Sequence, residues 1–240
     1  MTGLRFDPEY LKAVQSFVKG PRSDPAKRYD GVEIEVTRFA SEETLESDSP
    51  TPAVVYLHGG GYVSCSVQLF APQIARFAND TKLPYFAVSY RLAPEHPAPT
   101  AVEDAYAAIQ YVSDSAADLK IDPTKIAVQG DSSGAGLAAG VALMARDRQL
   151  DPPIAKQILI YPMLSDRYNI EKDDPTIDFM IVKPDVANII WDAYAYKVLE
   201  GDDVKALSYA IPARAGTLRG LPSTYIDVGS DPWIFLETTI

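Results

Sequence analysis

The chain has 240 residues, 47% apolar and 23% charged, which is ordinary globular usage and excludes a mainly disordered chain. Its 22 Lys and Arg against 33 Asp and Glu leave a formal net charge of −11, which makes nucleic acid and anionic membrane surfaces poor partners. One cysteine, Cys65, excludes an internal disulfide and any multi-cysteine metal cluster, and it fits a reducing, cytoplasmic setting.

The opening MTGLRFDPEYLKAV carries no apolar signal core, and no apolar run approaches the ~20 residues that cross a bilayer, so neither a signal peptide nor a membrane span is expected. Tyr10, Leu11, Val14, Phe17 and Val18 share one face at helical spacing and predict an amphipathic helix. The turn-rich GPRSDPAKRYDG follows it. Strands are then predicted over Val32–Phe39, Ala53–Leu57, Tyr85–Tyr90, Lys125–Gln129, Lys156–Tyr161 and Ser223–Val228. Several are apolar almost throughout (AVVYL, ILIY), as strands covered on both faces are. Helical periodicity fills the gaps over Phe70–Asn79, Ala101–Leu119 and Ser133–Arg148. Such alternation predicts an α/β fold: a mostly parallel central sheet flanked by helices. Ser165–Lys183 is polar and irregular, and Asp185–Leu199 is a helix carrying Trp191, Tyr194 and Tyr196. That helix is either core packing or a lid over a pocket.

Chemistry concentrates first at Gly130-Asp131-Ser132-Ser133-Gly134. The β-like KIAVQ precedes it and the small-residue helix AGLAAGVALMA follows, which is the context of a G-x-S-x-G nucleophile elbow. A serine in such a turn is held out at the carboxyl end of the sheet, and the flanking glycines let strand and helix approach closely. The second motif is His58-Gly59-Gly60-Gly61-Tyr62 after the strand AVVYL. A glycine run there lets backbone N–H groups reach a developing oxyanion, each donor being worth ~3 kcal/mol in the transition state. Tyr62 and Phe70 line either an acyl pocket or the core. A dinucleotide loop at Gly134–Gly140 is set aside because the elbow already explains those glycines. No metal-ligand pattern is present, and no cofactor, metal or organic, is expected.

With HGGGY (58–62), YRLAPEHPAP (90–99), GDSSGAGLA (130–138), ILIYPML (158–164) and GLPSTYIDVGSDP (220–232), the chain resembles the hormone-sensitive-lipase-like branch of the α/β-hydrolase superfamily. That resemblance implies a serine carboxylesterase acting on short and medium acyl esters. It implies Ser132 as nucleophile, the amides of Gly60, Gly61 and Ser133 as oxyanion hole, and Asp231 as triad acid. His58, Gly59, Gly130, Asp131 and Gly134 support these motifs. It also implies a cap, here residues 1–45 with the first strand and an insertion over about 165–205, on a core spanning 46–240. The expected partner is a small-molecule ester, with no nucleic acid and no membrane span; a homodimer stays open.

The resemblance breaks at the base. The superfamily order is Ser, Asp or Glu, then His. After Asp231 only PWIFLETTI follows, and the two histidines of the chain are His58 and His96. His58 heads the glycine loop and His96 lies in PEHP, so neither is assigned as base. Three readings follow: a C-terminally truncated esterase, a degenerate paralogue, or a binding protein resembling the plant gibberellin receptors, which keep the fold without the histidine. The abrupt end just past a family motif favours truncation. The last strand and helix of the sheet are then expected to be missing, and Ser223–Val228 is expected to form an exposed apolar edge.

Overall fold

In a computed structural model, the alternating segments assemble into one seven-stranded sheet with helices on both faces. Residues 22–29, 32–47, 49–167, 170, 174–180 and 182–228 are described. The strands are β1 (Arg22–Tyr29), β2 (Val32–Phe39), β3 (Thr51–Leu57), β4 (Tyr85–Val88), β5 (Ile121–Asp131), β6 (Lys156–Ile160) and β7 (Ser223–Asp227). Their order is β1-β2-β4-β3-β5-β6-β7. β2 runs antiparallel to β1 and β4, and every pair from β4 to β7 is parallel. The helices are α1 (Glu42–Glu46), α2 (Val67–Thr81), α3 (Thr100–Asp114), α4 (Ala116–Leu119), α5 (Ser133–Asp147), α6 (Pro184–Glu200) and α7 (Val204–Ala210). Among the described residues, no helix is long and apolar enough to cross a membrane.

β3 shows why AVVYL is apolar at every position. Ala53, Val55 and Leu57 join the core that holds Val102 and Ile109 of α3 with Leu137 and Leu143 of α5. Val54 and Tyr56 point the other way, into a second core with Ile74 and Ala75 of α2. Side chains alternate along a strand, so a strand covered on both faces must be apolar throughout. Burying each large side chain contributes about 2 kcal/mol.

Three expectations need correction. The turn-rich stretch after residue 20 contains β1, whose pairing with β2 shifts register between Asp24 and Lys27, where Pro25 interrupts the ladder. The single helix expected over Ala101–Leu119 is two, because the chain leaves helical geometry at Ser115 (φ −89°, ψ 11°). α7 was not foreseen; Asp203 starts it by accepting hydrogen bonds from the amides of Lys205 and Ala206. The helix expected over Tyr10–Val18 lies outside the described residues.

β7 stands at the end of the sheet order, and all five of its residues are exposed. Beside it, a groove of about 410 Å³ runs between α5 and the sheet, lined by Leu143, Leu159, Leu218 and Ile226 among others.

Candidate active site

The turn at Ser132 joins the end of β5 to the start of α5 with no intervening loop. Ser132 has φ 53° and ψ −120°, a conformation that costs a non-glycine residue ~1–3 kcal/mol and persists only when its surroundings enforce it. Here they do. The Ser132 N–H donates to Ile160 O (2.9 Å), and its carbonyl accepts from the amides of Ala135, Gly136 and Met163, each at 3.0 Å. The flanking glycines are sterically required. A Cβ at Gly130 would stand 2.2 Å from Gly134 O, and one at Gly134 would stand 2.1 Å from Leu57 O. The serine itself is half-buried at the carboxyl end of β5.

The glycine loop between β3 and α2 lies against this turn. A Cβ built on Gly59 would stand 3.5 Å from Ser132 Cβ and 3.0 Å from Asp131 O. Gly60 and Gly61 have φ 130° and 63°. Their curl is closed by the amides of Val63 and Ser64 and by Ser64 Oγ, all donating to Gly60 O. Among the described residues, no backbone hydrogen bond takes up the amides of Gly60, Gly61 or Ser133, the last opening α5. The N-terminus of a helix favours negative charge, which adds to what these amides can offer an anion.

His58 is fixed in a bracing position. It is buried, its Nδ1 lies 2.8 Å from Gly59 O, and its ring stacks on Tyr90 with centroids 4.3 Å apart. Tyr90 Oη donates to His58 O at 2.7 Å. Burial holds its pKa below the ordinary histidine value, so the ring is neutral at neutral pH. His96 is exposed, and its amide donates to Leu92 O. Asp231 lies outside the described residues.

Asp131, beside the serine, points its buried carboxylate away from solvent. Its Oδ2 accepts from Tyr56 Oη (2.8 Å) and Gln73 Nε2 (2.7 Å). Burial raises its pKa despite these two donors. From above, α6 covers the glycine loop. Ile190 Cδ1 would be 3.0 Å from a Cβ on Gly61, and Tyr194 stacks on Tyr62 with centroids 3.8 Å apart. Tyr62 is fully buried and donates to Met163 O, so it packs in the core. Phe70 is half-buried at 3.6 Å from the Gly59 position. Trp191 and Tyr194 are buried while Ile189 and Tyr196 are exposed, so α6 both packs the core and roofs the loop.

A family profile described as the alpha/beta hydrolase fold matches residues 54–234. The chain belongs to that family. This alpha/beta hydrolase is 34% identical over 175 residues to carboxylesterase NlhH of Mycobacterium tuberculosis, covering 73% of this chain and 54% of the relative. It is 36% identical over 202 residues to esterase LipI of the same species, covering 82% and 60%. It therefore spans little more than half the length of these curated relatives. Among solved structures, a bacterial heroin esterase superposes with a TM-score of 0.75 at 31% identity, covering 91% of this chain and 70% of the other. An esterase from the archaeon Pyrobaculum calidifontis gives 0.74 at 31% identity, with the same coverage. The mostly parallel sheet and flanking helices of this family member are the α/β-hydrolase fold.

Sequence reasoning missed Tyr56, Gln73 and Ile190. Tyr56 looks like one more apolar strand residue. Gln73 looks like a solvated helix position. Ile190 is one of several apolar residues in a helix. Their roles arise from packing between distant segments, for which a single sequence carries no periodic signal.

Proposed function

We propose that the chain is the nucleophile-bearing part of a serine carboxylester hydrolase for short and medium acyl esters. Ser132 Oγ attacks the ester carbonyl and loses its proton to water. The tetrahedral oxyanion is held by the amides of Gly60, Gly61 and Ser133. The C–O bond to the alcohol breaks, the alcohol takes up a proton, and a butyryl-type ester remains on Ser132. Water then attacks that ester and releases the acid. The observation that supports this reading is the approach of the glycine loop, at Gly59, to Ser132 Cβ, together with amides of Gly60, Gly61 and Ser133 that no backbone hydrogen bond takes up among the described residues. The names carboxylesterase and esterase on the relatives support the reaction class.

Asp231 is the acid that orients a base histidine in this scheme, and His58 does not supply that base. Its ring is stacked, its Nδ1 is engaged, and its protonation is disfavoured. In a serine protease, loss of the base costs on the order of 10⁶ in kcat, so a 240-residue polypeptide of this sequence turns over slowly. An activated ester compensates for this in the first half of the reaction, because its leaving group departs readily. With p-nitrophenyl butyrate the expected result is a burst of p-nitrophenol stoichiometric with protein, followed by slow turnover, both absent from Ser132→Ala. Indistinguishable progress curves for the two proteins would remove the reading.

The bracing role of His58 also favours a second reading, a small-molecule binder built on the same site. Saturable binding of an ester with no burst would select it. In either case the partner is a small molecule and the setting cytoplasmic.

A further inference from the structure

We infer that Asp131 is a positioning residue that fixes the distance between Ser132 and the glycine-loop amides. This rests on the reading of Ser132 as nucleophile. The carboxylate is buried (1% exposed), which is expensive for a group that serves only to fill space. Its Oδ2 accepts two hydrogen bonds from opposite flanks of one loop. Tyr56 is on β3, just before His58, and Gln73 is on α2, into which the loop leads. The loop spanning 58–66 is thus pinned on both sides to a single oxygen, and that oxygen belongs to the residue preceding Ser132. The backbone repeats the connection, since Asp131 O lies 3.0 Å from where a Gly59 Cβ would be. Gly59 itself approaches Ser132 Cβ to 3.5 Å by the same measure. The elbow and the loop leave neighbouring strands whose ladder ends at the Leu57–Gly130 pair, and beyond that pair the Asp131 contacts are side-chain bonds that add to packing in setting their separation. A shift of ~1 Å between reacting groups costs up to about 10² in rate, so the tie belongs to the chemistry as well as to the fold.

One feature of the carboxylate indicates that it acts through Oδ2. Its Oδ1 is buried with no hydrogen-bond partner among the described residues. An asparagine can keep one oxygen for Tyr56 and Gln73 and place its amide where Oδ1 stands, whereas alanine removes the acceptor. Among the described residues, the Tyr85 and Tyr161 hydroxyls also feel this carboxylate, and the pKa values of both are pushed up, mainly by burial, Tyr161 to about 12.

The test measures butyryl transfer from p-nitrophenyl butyrate to Ser132 by intact-protein mass spectrometry. Ester concentration is varied, at a temperature well below each variant's melting point. The saturating rate is expected to fall about tenfold or more in Asp131→Ala, with the half-saturating concentration within about twofold of wild type. Asp131→Asn is expected to restore the rate to within about threefold, and Tyr56→Phe and Gln73→Leu to give intermediate losses. Should Asp131→Ala fail to fold, the Tyr56→Phe/Gln73→Leu double variant must reproduce the rate loss. A wild-type rate in Asp131→Ala or in the double variant overturns the inference. So does a loss confined to half-saturation, or an asparagine variant as slow as alanine. No adduct on Ser132 in the wild-type chain overturns the nucleophile reading itself, and the inference with it.

Discussion

Gly134 faces the carbonyl of Leu57 so closely that a Cβ at position 134 would stand 2.1 Å from that oxygen. This contact brings the first turn of α5 onto the end of β3, and it places Ser132 beside the loop that leaves β3. Gly134→Ala is expected to lower stability by about 3 kcal/mol or more, since backbone atoms cannot move aside as a flexible side chain does. Gly216→Ala is the matched control, because nothing lies within 4 Å of its would-be Cβ. Thermal denaturation of the two variants should show a large drop in the first and little change in the second. Equal melting points would mean that Gly134 and the Leu57 carbonyl are farther apart than this contact requires.

Gly60 tests the loop. It has φ 130°, and a Cβ there would stand 2.2 Å from Ser64 O. Gly60→Ala must therefore uncurl the loop and withdraw amides from Ser132. The predicted loss is about 10² in the rate of Ser132 acylation, the size of one lost oxyanion donor. The loop is half-exposed at this position, so the melting point should change much less than in Gly134→Ala. Unchanged acylation would show that these amides do not serve the reaction.

Two buried groups give opposite pH dependences of stability. The pKa of His58 is lowered by burial, so its contribution is present above its unfolded value of about 6.5 and is lost as pH falls through the folded value. Wild type should lose stability on acidification below about pH 6.5, and His58→Gln should lose less. The pKa of Asp131 is raised by burial, so its contribution is present below its unfolded value of about 3.9 and is lost as pH rises through the folded value. Asp131→Asn should therefore gain on wild type between about pH 4 and pH 7. Denaturant unfolding across that range checks both signs.

Much of this arrangement was legible in the sequence, and the reasons are local. AVVYL read as a covered strand because both of its faces are buried. Gly130 and Gly134 stood out because an elbow needs close approach on both sides of its serine. β1 was hidden because Pro25 and the surrounding polar residues look like a turn. α7 was hidden because seven residues give too little periodicity. The tie from Tyr56 and Gln73 to Asp131 was invisible, since it joins residues 75 and 58 positions apart.

The end of the sheet gives a further prediction. β7 exposes Tyr225 (54%) and Ile226 (39%), and among the described residues it pairs only with β6. An open apolar edge of this kind favours pairing with another chain. Sedimentation velocity should show concentration-dependent association that Tyr225→Lys weakens. A wild-type chain that stays monomeric at all concentrations would count against an accessible edge.

Ser132 sits on a strained backbone turn, and its hydroxyl is proposed to stand beside amides ready to hold negative charge. Peptide mapping after a brief exposure to p-nitrophenyl butyrate tests this most directly, because in the proposed scheme deacylation is slow and the intermediate accumulates. The account predicts one butyryl group per chain, located on Ser132 and lost in Ser132→Ala. A butyryl group on any other residue, or none at all, would contradict it.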